Sequence, residues 1–220
     1  MGQGINTFLL VMAAIFPVVN PPGTALVFLA LTQRAAPALR RELAWRVAKN
    51  SFAVLVGSLY GGALILQFYG ISIPVLRVAG GFVVAVAGWR LLHEGSHKDV
   101  GNSNDSDVEP NLVDRAFYPL TLPLTTGPGT IAVVISIGLS HPVFTNTADQ
   151  IIFFVASLLA IGVIAATVYF SFAYADRVQK VLGQGGTDIA VRLSAFILFC
   201  LGVQILWSGC RELLKSVLHE

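Results

Sequence analysis

Five stretches of the chain, residues 1–33, 50–76, 116–148, 150–175 and 193–210, contain no Asp, Glu, Lys or Arg. A helix needs about 17 to 25 mostly apolar residues to cross a bilayer, so each stretch can hold one spanning segment. A sixth window, 74–92, holds Arg77 and Arg90 near its ends, where a guanidinium can snorkel toward the headgroups. The pattern predicts an all-α integral membrane protein of six transmembrane helices. Strands of an outer-membrane barrel would instead alternate over segments of about ten residues. Only 12% of the 220 residues are charged, too few to clothe a water-soluble sphere.

Lys and Arg set the expected orientation. Eleven of the fourteen fall in loops after spans one, three and five: Arg34, Arg40, Arg41, Arg46 and Lys49; Arg90, Lys98 and Arg115; Arg177, Lys180 and Arg192. Arg77, Arg211 and Lys215 lie on the other side, so both termini are expected outside the cytoplasm. The net charge of +2 then reports topology and argues against a nucleic-acid surface. The apolar start, 5–19, has no basic residue before it and runs into Asn20-Pro21-Pro22-Gly23, which predicts a retained span. Cys200 and Cys210 stand ten residues apart, neither a disulfide framework nor a metal spacing.

A duplication organises the chain. Pro17 to Thr24 and Pro123 to Thr130 share P-x4-P-G-T at an offset of 106. Gly70 and Arg77 match Gly185 and Arg192 at 115, and Gly88 and Gly95 match Gly202 and Gly209 at 114. Two three-span repeats, 1–95 and 116–220, are thus expected on either side of a polar, cytoplasmic linker, 96–115. Three is odd, so the second repeat enters the membrane from the opposite side, an inverted-topology pair typical of secondary transporters.

Pro21, Pro22 and Pro128 lack a backbone donor, and Gly23, Gly127 and Gly129 tolerate dihedrals closed to other residues, so helices one and four should break. Broken backbone at membrane depth is tolerated only where it faces protein or a wet cavity. A half-helix starting after each break aims free N–H groups at the gap and suits a carboxylate, while carbonyls released before it suit an ammonium or small cation. Those are the two poles of an amino acid. The candidate substrate site therefore comprises Asn20, Pro21, Pro22, Gly23, Thr24, Thr125, Thr126, Gly127, Pro128, Gly129 and Thr130, with no catalytic residue, metal or cofactor called for. The bland alternative is that the Pro-Gly pairs only kink packed helices.

At these residues the chain resembles the MarC family of six-span membrane proteins, which includes small neutral amino acid transporters of the SnatA type. The resemblance rests on Asn20-Pro21-Pro22-Gly23, on Gly70-Ile71-Ser72-Ile73-Pro74 with Leu76-Arg77-Val78-Ala79-Gly80-Gly81, and on Pro123 to Gly127-Pro128-Gly129-Thr130. It covers nearly the whole chain. It implies an inner-membrane exporter or exchanger of small amino acids such as glycine and alanine and suggests proton coupling; a sodium ion held by neutral oxygens, or plain facilitated exchange, stays open on the residues alone. Pro22 departs from the family pattern and stiffens the first break.

His93-Glu94-Gly95-Ser96-His97 spells H-E-x-x-H, which in zincins places two histidines on one helical face around zinc. Here it runs into Gly-Ser and a hydrophilic linker, so a membrane-embedded zinc hydrolase is the weaker reading. A non-transporting scaffold is the third. The glycines at 57, 61 and 62, at 80, 81 and 88, and at 202 and 209 suit close helix packing. All acidic residues are expected in loops, at span edges or in the tail, which leaves no intramembrane carboxylate relay.

Overall fold

The computed structural model describes residues 2–32, 35–94, 116–140 and 147–218. Seven α-helices follow in order: α1 Gly2–Val19, α2 Pro21–Leu31, α3 Pro37–Tyr69, α4 Ile73–Glu94, α5 Pro128–Ser140, α6 Thr147–Ala173 and α7 Ala175–Leu218. A π-helical segment, Phe117–Thr125, precedes α5. Among the described residues, five stretches are long and apolar enough to cross a membrane: Gly2–Leu29 (α1 with α2), Pro37–Tyr69, Ile73–His93, Thr147–Ala173 and Gly185–Ser216. A shorter apolar helix, Pro128–Leu139, follows the π-helical segment.

Local chemistry sets these bounds. Pro37 occupies the first turn of α3, where a missing N–H costs nothing and its fixed φ suits the helix. α3 stops at Gly70, which takes φ 65°; its N–H reaches the Gln67 carbonyl at 3.3 Å and that of Ile71 reaches the Leu66 carbonyl at 2.9 Å, closing the end in a Schellman arrangement.

The core joins α1, α2, α3, α5, α6 and the π-helical segment. Val11, Ile15, Leu43, Leu55 and Ile161 are fully buried there. The Phe28 and Phe172 rings stack at 4.5 Å and hold α2 on α6. Outward faces stay apolar: Leu64, Phe68 and Leu159 are at least 60% exposed. That is the surface a bilayer covers.

α4 and α7 run antiparallel at backbone contact. A Cβ on Gly81 would lie 2.8 Å from the Gly202 carbonyl oxygen, one on Gly88 2.9 Å from that of Ala195, and one on Gly209 2.7 Å from that of Pro74. These glycines therefore serve packing, as their spacing suggested. Gly62 likewise admits the Ile135 side chain, whereas Cβ atoms on Gly57 and Gly61 would meet open space.

Two expectations need correction. Gly183, at φ 68°, kinks α7, and the last candidate spanning stretch starts at Gly185, so Arg192 lies on a helix within that stretch and not in a loop. Glu212 lies near the Ser216 end of the same stretch, at a span edge as expected for an acidic residue. The irregular backbone of the fourth pass begins at Tyr118, ahead of the P-G-T cluster: Tyr118 and Leu122 both hold extended dihedrals. Each precedes a proline, Pro119 or Pro123, whose ring disfavours the α region in the residue before it. The linker 96–115, with Lys98 and Arg115, lies outside the described residues, as do His97 and Arg34.

Candidate functional site

The first break is confined to one residue. Asn20 adopts the left-handed conformation, φ 47° and ψ 60°, and caps α2. Its Oδ1 accepts from the Gly23 N–H at 3.3 Å, and its carbonyl accepts from the Thr24 N–H at 3.0 Å. Pro21 and Pro22 have no N–H to offer. Among the described residues, then, the start of α2 has no unpaired backbone donor. Thr24 donates its hydroxyl to the Asn20 and Pro21 carbonyls at 3.0 and 3.3 Å. The Asn20 side-chain amide remains a donor beside Gly23: a Cβ there would lie 2.5 Å from Nδ2.

The second break is longer and differently equipped. Within the π-helical segment, hydroxyls bond five residues back: Thr121 to the Ala116 carbonyl at 2.7 Å, Thr125 to that of Leu120 at 2.8 Å, and Thr126 to that of Thr121 at 3.3 Å. The Thr126 N–H also reaches Thr121, at 2.8 Å. Past Thr126 the supply of local acceptors ends. Ile131 N–H reaches the Gly127 carbonyl at 3.1 Å, but among the described residues no acceptor receives the N–H of Gly127, Gly129 or Thr130. Thr125, Thr126, Gly129 and Thr130 are buried, while Pro22 and Pro128 are exposed.

The threonine hydrogens at 24, 125 and 126 are thus committed to carbonyls, and what those hydroxyls still offer is lone pairs. They suit an ammonium or a small cation. The unpaired N–H groups at the start of α5, reinforced by its dipole, suit an anion. α2 and the π-helical segment pack side by side, although no hydrogen bond joins the two clusters among the described residues.

Each break also abuts the far half of the chain. A Cβ on Gly23 would lie 2.7 Å from Ser194 Cβ on α7; one on Gly129 would overlap Val84 on α4 and lie 2.9 Å from the Gly80 carbonyl oxygen. Gly80 and Ser194 are separated by 114 positions, the offset that relates Gly88 to Gly202. Neither residue figured in the sequence-derived site, yet that offset would have paired them.

Two ion pairs tie α7 to other helices. Arg40 on α3 binds both carboxylate oxygens of Asp176 at the start of α7 and donates to the Ala35 carbonyl at 3.2 Å; its side chain is only 12% exposed. Arg77 on α4 bonds Glu212 near the other end of α7 and donates from Nε to Ser136 Oγ at 3.0 Å. At the H-E-x-x-H motif, His93 Nδ1 lies 2.9 Å from the Trp89 carbonyl and its ring rests on the Trp89 indole, 3.9 Å between centroids.

The fold and site define a multi-pass membrane protein with one helix break at Asn20 and a second ahead of α5. A family model for MarC family integral membrane proteins matches residues 5–214, and the chain belongs to that family. It is 32% identical over 210 residues to the inner membrane protein MarC of Escherichia coli strain K12 and to that of Shigella flexneri, covering 93% of this chain and 94% of each relative. No solved structure matches the chain significantly.

Proposed function

We propose that this protein is a secondary transporter, an exporter or exchanger of small neutral amino acids such as glycine and alanine in the inner membrane. The carrying observation is the pair of helix breaks, on elements that pack together, one holding unpaired N–H donors and both holding threonine hydroxyls that can only accept. In this reading the substrate carboxylate sits on the N–H groups of Gly127, Gly129 and Thr130, with the Asn20 amide as a further donor. The ammonium meets the oxygens of Thr24, Thr125 and Thr126. Pro21, Gly23 and Pro22 shape the opposing wall and Pro128 starts the helix. A proton or sodium ion supplies the coupling.

The arrangement is that of two inverted repeats, 1–95 and 116–220, joined by a cytoplasmic linker, with both termini outside. The reciprocal contacts of Gly23 with Ser194 and of Gly129 with Gly80 support it, since an inverted pair places equivalent residues on opposite sides of one centre. Counterflow of radiolabelled alanine in liposomes tests the function. Stimulated uptake into alanine-loaded vesicles is expected; its absence, with bound zinc that depends on His93 and His97, would instead favour the hydrolase.

A further inference from the structure

A cavity of about 550 Å³ opens between α1, α4, α5 and α7, at the end of the bundle where α1 begins and α7 ends. Arg77, Ser136, Ser208 and Glu212 line it, with Leu10 and Ile205 among its apolar walls. Its size falls in the range of small-molecule sites, which combine apolar walls with a few convergent polar groups. Charged residues inside spanning helices are costly and mark ligand or ion pathways when they face a cavity.

The Arg77–Glu212 pair leaves much of its bonding capacity open. Arg77 uses Nε on Ser136 and Nη1 on Glu212 Oε1. A guanidinium carries five N–H donors, so about three stay available. Among the described residues, Glu212 Oε2 has no protein partner either. The two side chains are 23% and 43% exposed, so the cavity reaches them. A cation with spare donors beside an anion with a spare acceptor matches a group carrying both charges a few ångströms apart.

Position strengthens the match. Arg77 lies three residues before Gly80, which packs on Gly129, and Ser136 lies six residues past Thr130 along α5. At about 1.5 Å per residue the cavity sits roughly 5 to 9 Å from the second break. We propose that Arg77 and Glu212 form a second binding site for zwitterionic α-amino acids, an access site passed between the break and the face bearing both chain ends. Arg77 receives the carboxylate, Glu212 the ammonium, and Leu10 and Ile205 leave room for a small apolar side chain.

This inference rests on the transporter reading, and the test separates the two. In full-length protein carrying Cys200→Ala and Cys210→Ala, Ser208→Cys reports on the cavity through its rate of maleimide labelling in lipid-free detergent. Alanine at about ten times its half-saturating concentration should slow labelling about tenfold. Arg77→Gln and Glu212→Gln should each raise the protective concentration about 10- to 100-fold, the effect of losing a charge-assisted hydrogen bond. Phosphoethanolamine, which carries a lipid headgroup's charges, should protect poorly. Better protection by phosphoethanolamine than by alanine would overturn the assignment, as would a cysteine that does not label. Alanine binding by calorimetry without protection would sink this site and leave the transporter reading standing. No alanine binding, protection or counterflow would overturn both.

Discussion

Gly80 and Gly129 approach so closely that a Cβ on Gly80 would stand 3.5 Å from the Gly129 Cα. The second break is therefore bound to α4 by backbone contact, and Gly129 carries a packing role alongside any role toward substrate. Substituting it does not probe binding alone.

Gly129→Ala should destabilise the fold by about 1–3 kcal/mol, since the new methyl overlaps Val84 and meets the Gly80 carbonyl. Val84→Ala removes the overlapping group and should restore part of the loss. Thermal melting of both single variants and the double variant checks this; additive losses would contradict the contact.

Asn20 combines a left-handed backbone with a helix cap, and the two can be separated. Asn20→Gly keeps the dihedral freedom and should cost only a few tenths of a kcal/mol for the lost cap. Asn20→Ala loses the cap and adds left-handed strain, about 1–2 kcal/mol more. Equal melting temperatures for the two variants would show that the dihedral is not held in solution.

Thr130→Val tests the donor cluster without disturbing a local bond, because among the described residues its hydroxyl has no partner. In the transporter reading, alanine affinity should fall about two- to tenfold, one neutral hydrogen bond of roughly 0.5–1.5 kcal/mol. Thr24→Val removes an oxygen that meets the ammonium as well as the bonds to the Asn20 and Pro21 carbonyls, so affinity should fall comparably and melting more. Calorimetry with a melting control reads both.

Arg40–Asp176 and Arg46–Glu42 differ in burial, and burial decides their worth. Glu42→Ala removes an exposed pair four residues apart on α3 and should cost at most about 0.5 kcal/mol. Asp176→Ala strands a guanidinium that is 12% exposed and should cost several times more, about 1–3 kcal/mol after allowing for the half-exposed carboxylate. Chemical denaturation at low and high salt measures both, and only the Arg46–Glu42 contribution should fade with salt.

The breaks were legible in the sequence because proline's missing donor acts whatever surrounds it. The positions of α2 and α5 follow from Pro21 and Pro128 alone. The extended residues Tyr118 and Leu122 were legible too, through Pro119 and Pro123, but only by reading each proline backwards onto its neighbour. The asymmetry of the breaks was not. It depends on Asn20 turning its amide onto Gly23, a choice between dihedral wells that composition does not decide. The Arg77–Glu212 pair needed the register of α4 against α7, which the glycines at 81, 88, 202 and 209 permit at several settings until the helices are packed.

That seam between α4 and α7 has a mechanical consequence. At these glycines backbone meets backbone with little side chain between to flex, so sliding or rolling one helix on the other is resisted. One helix belongs to each half of the sequence, and the pair acts as an axle on which the halves are mounted. Interlocked surfaces of this kind have a few discrete settings and resist gradual deformation. In the transporter reading, movement about the breaks leaves the axle intact, and the compliant elements among the described residues include Asn20, the π-helical turns and the kink at Gly183.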